Sequence, residues 1–297
     1  MQGKTVVGTR LHWHSHSQHE RIDVAKLLHQ VRAFCARAAT YADGGILIAA
    51  GLPAAIATTS SSGDAASSSS AFTDSVREFM AQLQEQITSG AIIGKVELVP
   101  MLHWGKFVPA LNALIGTAAE RSPAADVLLL QSLEIEVDAP SVALLRSHFD
   151  VERDLVVGAA LPGHAFQPDP TKQPLELGGL TTPWNTLALW NLHQLTKVGF
   201  ALMGDALRLE VDGIGSAAGI EEVATIAMYQ QLFKNTQAAT AAKLLRVPGI
   251  SWQVDELKDP ERMAWHKKKM TSKEQRAAAQ MAHFDGVEIG QVYHLEA

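Results

Sequence analysis

Four groups of residues have types and spacings that can do chemistry. Glu221 and Glu222 stand side by side, after Gly213, Gly215 and Gly219 and ahead of an apolar stretch from Val223. Neighbouring carboxylates raise one another's pKa, which suits one of them to act as a general base. Two acids in a first helical turn also favour the helix dipole, a purely structural use. Glu134 and Glu136 follow the apolar run 127–130. If that strand continues, residues two apart share a face and both carboxylates point the same way. Ligands of parallel sheets sit at the carboxyl ends of strands, so this pair suits a hard divalent cation bridging a diphosphate. A solvated strand edge is the bland alternative. His12, His14, His16 and His19 crowd one polar segment. Alternating histidines can hold zinc or another transition metal, as in metal-dependent hydrolases. Such a site needs further ligands; His103 and His164 are available, but no later strand ends in the expected acid.

A fourth group, Thr181 to Thr186, contains Trp184 and Asn185. In a loop, the ring offers a stacking face and the amide a hydrogen-bonding partner for a sugar or base. Alternatively, Pro183 starts a helix and Trp184 packs inward. The chain has neither a Walker-type phosphate loop nor a G-x-S-x-G elbow, and the glycines at 213–219 do not follow a strand of a βαβ unit.

The elements that must position these residues are legible in outline. The 297 residues are 47% hydrophobic and 19% charged, enough for a sizeable core and too apolar for global disorder. A net charge of −6 argues against a broad nucleic-acid-binding surface. The one cysteine, Cys35, excludes an internal disulfide and a cysteine-rich zinc module. The first ten residues lack the apolar core of a signal peptide, and no uninterrupted apolar run reaches the ~18 residues of a membrane span. The expectation is a soluble, cytoplasmic α/β protein. Strands are expected at 5–9, 45–51, 95–100, 126–130 and 155–159, and helices from Val24 (capped by Asp23), at 72–87, at 107–119, at 186–198 and at 221–233. Residues 58–70, nearly all Ser, Thr, Ala and Gly, read as a flexible surface loop. From 256 to 297 the chain reads as a polar, basic tail or lid.

In this order the pieces resemble a GT-A-fold glycosyltransferase of the family-2 type, a Rossmann-like, mostly parallel sheet flanked by helices in one domain. The resemblance covers about residues 3–255 and rests on three places. The stretch Gly105 to Ile115, with Gly105 and Asn112, resembles the helix that such enzymes carry beside the nucleotide-sugar. Leu128 to Val137 falls where the family has its acidic D-x-D, and Glu221-Glu222 where it has a Glu-Asp pair opening the helix that supplies the base. Ser132 replaces the first acid of D-x-D, and Ala49-Ala50-Gly51 stands where an acid usually grips the nucleotide base.

The resemblance implies transfer of a sugar from a nucleotide-diphosphate donor to an acceptor hydroxyl, with inversion. Glu134 and Glu136 would hold Mn²⁺ or Mg²⁺ against the diphosphate, with His266 as a further ligand. Glu221 or Glu222 would deprotonate the acceptor. Thr9 and Arg10 would sit by the nucleotide, Trp184 and Asn185 would border the sugar or acceptor, and Lys269 or Lys273 on the tail would approach the phosphates. The alternatives are a catalytically silent relative that binds without turnover, fed by Ser132, and the histidine-loop hydrolase.

Overall fold

The structure is a computed structural model and describes residues 3–12, 21–53, 63–104, 106–171, 173–205, 207–252, 271–284 and 286–297. The first half runs β1 (Lys4–Leu11), α1 (Val24–Ala38), β2 (Gly45–Pro53), α2 (Gly63–Thr88), β3 (Val96–Trp104), α3 (Phe107–Arg121), β4 (Ala125–Gln131), β5 (Ile135–Val137) and α4 (Ala139–Ser147). The second half runs β6 (Asp154–Ala159), β7 (Leu175–Glu176), β8 (Leu187–Asn191), α5 (Leu192–Val198), β9 (Arg208–Val211), β10 (Gly215–Ala218), α6 (Glu221–Leu232), β11 (Ala241–Arg246), β12 (Ile250–Trp252), α7 (Lys273–Met281) and β13 (Gln291–Glu296).

Nine strands form one sheet in the order β3-β2-β1-β4-β8-β6-β11-β13-β7. β3, β2, β1 and β4 are mutually parallel, as are β6, β11 and β13, while β8 runs antiparallel between β4 and β6. This is the expected α/β class with a mostly parallel sheet. Its centre is apolar on both faces, since a sheet covered by helices on both sides has no wet face. Val6, Leu128, Leu130 and Trp190 join α3, α5 and α6 in one core, and Val7, Leu129, Val157 and Leu189 join α1, α2 and α4 in the other. α1 starts where its cap requires: Asp23 accepts from the Lys26 amide at 2.9 Å.

The fold departs from the sequence expectation in three places. The helix expected at 186–198 is a strand and a short helix: β8 is buried at all five positions before α5 begins. Its apolar residues imitate helical spacing because a strand buried on both faces shows no period-two alternation. The loop expected at 58–70 gives way at Gly63, where α2 begins; 58–62 lie outside the described residues. The described residues after 270 are not an appended tail, and 253–270 lie outside the described residues. β13 pairs in parallel with β11, inside the sheet, and α7 packs on β9 and α6.

Candidate functional site

The strand order has one point where chain progression reverses. From β1 the chain moves outward through β2 to β3, then returns through α3 to place β4 on the other side of β1. The crevice outside the carboxyl ends of two such strands is where open α/β sheets bind ligands. Here those ends carry Thr9 and Arg10 on β1 and Gln131 on β4.

Alternation along β1 decides what faces where. Val6, and with it Gly8 and Arg10, point to the α3/α6 side; Val7, Thr9 and Leu11 point to the α1/α2 side. The Arg10 side chain is 15% exposed, its guanidinium lies 4.8 Å over the ring of Phe107 and its Nη1 is 3.6 Å from Glu221 Oε1. That distance makes an ion pair, not a hydrogen bond, and the buried Nη1 has no hydrogen-bond partner.

Two chain segments bring acids to this corner, and Glu221 is the one that reaches the guanidinium. Leu202–Gly204 forms a single 3₁₀ turn, after which Asp205 Oδ2 accepts from the amides of Phe107 and Val108. Asp205 thereby caps α3 from 98 residues away, a task that the local N-cap residue, Lys106, leaves undone. The turn sits so close to α6 that a Cβ on Gly204 would lie 2.8 Å from Glu221 Cα, so only glycine fits. Burial, and then the charge of Glu221, push the Asp205 carboxyl above its ordinary range. Its Oδ1 is buried without a hydrogen-bond partner.

Glu221 and Glu222 open α6. Glu222 is buried and accepts from the Asn185 amide at 2.7 Å. Burial and the charge of Glu221 push it up to about 7, against the opposing pull of Lys273. Glu221, with 16% of its side chain exposed, is the acid that an entering molecule can reach.

α7 secures this corner. Gln280 accepts from the Ile220 amide at 2.8 Å and donates to Met203 O and Gly204 O at 3.2 and 3.3 Å. Arg276 donates to Ala218 O and Gly219 O at 2.6 and 2.7 Å, satisfying the carbonyls just ahead of α6. Asp205, Arg276 and Gln280 carry no motif that marks them in sequence, since their partners are assembled only by the fold.

The structure thus brings together Arg10, Glu221, Glu222 and Asn185 of the expected site, and adds Asp205 and Phe107. Asn185 Oδ1 accepts from Trp190 Nε1 at 2.9 Å, and its Nδ2 is buried without a partner. Thr9 Oγ1 is likewise buried and unpartnered, on the opposite face of the same strand end.

Other expected residues lie elsewhere or are occupied. Trp184 is 1% exposed, stacked on His164 at 3.6 Å, with Lys273 Nζ 3.4 Å from its ring centroid and its Nε1 donating to Gly179 O at 2.9 Å. It is a core residue with no ring face open to a sugar. Asn112 accepts from Phe200 N at 2.8 Å and donates to Phe200 O at 3.1 Å, pinning the turn after Gly199. Glu134 and Glu136 do not share a strand face: β4 stops at Gln131, a turn intervenes, and β5 starts at Ile135. Glu134 is exposed on that turn, and Glu136 pairs with Arg37 at 3.3 Å. Gly105, His14, His16, His19, His266 and Lys269 lie outside the described residues.

Two further observations bear on the metal readings. His164 accepts from Leu161 N at 2.9 Å through Nδ1, and its Nε2 faces Thr182 O at 3.0 Å. Both nitrogens are spent and burial pushes it down to about 3, so it is no metal ligand. Among the described residues, no group of three or more His, Cys, Asp and Glu side chains is placed to hold an ion. A cavity of about 510 Å³ opens at the amino ends of β11 and β13, lined by Gln230, Lys234 and Glu288, at the opposite end from the crevice. Among the described residues, no helix is long and apolar enough to cross a membrane. No protein-family model matches this chain, and none of the curated proteins matches it.

Proposed function

We propose that the protein is a glycosyltransferase acting at the β1/β4 crevice, moving a sugar from a nucleoside-diphosphate donor to an acceptor hydroxyl. The observation that carries this reading is the meeting, at the topological switch point, of a poorly satisfied guanidinium, Arg10, with the carboxylate pair that opens α6. A guanidinium there suits an anionic donor, and a reachable carboxylate beside it suits deprotonation of an incoming hydroxyl.

In this reading the two glutamates divide the work. Glu221 takes the acceptor's proton. Glu222, held by the Asn185 amide, keeps a raised pKa through its burial and then through the charge of Glu221 beside it. Asp205 fixes the start of α3, so that Phe107 supports the Arg10 guanidinium. Glu134 and Glu136, expected to hold Mn²⁺ or Mg²⁺, do not fit that task as placed, because one is paired with Arg37 and the two share no face. No step is therefore assigned to a metal.

A thermal-shift screen of nucleoside diphosphates and their sugars tests the reading. A ligand that binds only the folded chain stabilises it by RT ln(1 + [L]/Kd), so saturation at about 100 Kd adds about 2.7 kcal/mol. One nucleotide class is expected to raise the midpoint, and a flat screen would contradict the proposal.

A further inference from the structure

Resting on that reading, we infer that the negative charge developing on the donor's diphosphate is taken up by the Arg10 guanidinium and not by a bridging divalent cation.

The two strand ends that flank the crevice differ in what they offer. At the β4 end a metal would meet Glu134, exposed on the turn that follows, without a second carboxylate on the same strand face. Gln131 spends its amide on Tyr41 Oη at 2.9 Å and Ile135 O at 3.1 Å, a serine follows at 132, and Glu136 is neutralised by Arg37. The β1 end offers a cation with unused capacity. Arg10 Nη1 is buried, makes no hydrogen bond and stands 3.6 Å from its nearest carboxylate oxygen. Buried donors are nearly always satisfied, so an orphan on a charged group at a switch point marks the position of a missing acceptor. Asn185 Nδ2 is a second such donor, on a residue 2% exposed that is tied through its amide to Glu222. A guanidinium is always charged, and its fork matches two phosphate oxygens.

The step balances without a metal. The bond between the sugar's anomeric carbon and the diphosphate oxygen breaks, and its electron pair stays on that oxygen, where the Arg10 N–H groups stabilise it. The acceptor oxygen forms the new bond to the anomeric carbon, and its proton passes to Glu221. The same geometry couples the two roles. A diphosphate engaging Arg10 competes with Glu221 for the guanidinium, so the donor frees the base and binds before the acceptor.

The test titrates UDP, GDP and inorganic pyrophosphate into the whole chain by calorimetry, once in EDTA and once in Mn²⁺. At least one nucleoside diphosphate is expected to bind in EDTA with an affinity within about threefold of that in Mn²⁺. Arg10→Met should weaken it by about 10- to 100-fold, the range for a charge-assisted hydrogen bond, with Arg10→Lys recovering part of the loss. Binding seen only in Mn²⁺ overturns the inference and leaves the transferase reading standing. Binding in EDTA that Arg10→Met does not weaken also overturns it. Failure of every nucleotide in both buffers overturns the inference together with the reading it rests on. The buffer comparison uses the unmodified protein, so it decides the question of the cation even if Arg10→Met fails to fold, and Arg10→Gln then tests the guanidinium, with unweakened binding in EDTA overturning the inference.

Discussion

At the scale of single residues, the site is a balance of charge held at low exposure. Glu222 has the sharpest consequence. Its carboxyl is pushed up to about 7 because burial and Glu221 both disfavour the anion. A carboxyl raised by folding stabilises the fold fully at pH values below its ordinary range, and that contribution is lost as pH rises through about 7. Glu222→Gln keeps an acceptor for the Asn185 amide and removes the ionisation. The variant should therefore match the wild type near about pH 4 and melt higher near about pH 8, by scanning calorimetry across that range. Parallel curves at both ends would mean that the buried charge costs nothing. Of this corner, the sequence shows the two glutamates, because acids at a helix start are a local signal, whereas Arg10 is placed there only by the resemblance. It does not show that Glu222 is buried or that Asp205 joins them, since both follow from contacts made across the chain.

At the scale of elements, the start of α6 is built by its neighbours. Neither the N-cap residue, Ile220, nor its side chain supplies a cap, and the Ile220 amide instead finds Gln280 of α7. Gln280 is fully buried and serves three backbone groups, so Gln280→Ala leaves orphans whose desolvation costs about 1–3 kcal/mol. Urea unfolding should register that loss, and transfer activity should fall further than stability alone requires, because Glu221 is no longer held; activity unchanged at equal folded fraction would separate α7 from the site.

The same element shows why part of the fold was illegible. A short helix with buried Gln280 and Lys273 carries polar residues where a core-facing helix normally carries apolar ones, so it reads as a solvated tail. β8 hides for the opposite reason: it is apolar throughout and lacks any alternation. By contrast β1, β2 and β4, with α1 and its Asp23 cap, are legible because β-branched runs, glycine boundaries and a capping carboxylate act locally.

At the scale of the whole molecule, the sheet joins the first and last described strands into one unit. β13 extends the sheet from β11, Val292 and His294 are buried, and His294 Nε2 faces Thr181 O at 2.9 Å. A chain truncated at residue 286 would expose the edge of β11 and strand its ladder hydrogen bonds, a template for association. Truncation should therefore yield aggregated protein or a markedly lowered unfolding midpoint, whereas a dispensable tail would leave the midpoint unchanged.

The most direct test of the central claim is turnover of nucleotide-sugars. Release of nucleoside diphosphate is measured across a donor panel, with wild type and with Glu221→Gln side by side. The expected result is release from one donor class by the wild type and a loss of about 10²- to 10⁴-fold in the variant, the usual worth of a general base, with nucleotide binding retained. No release above blank from any donor, or equal release by the variant, would contradict the assignment of this crevice to glycosyl transfer.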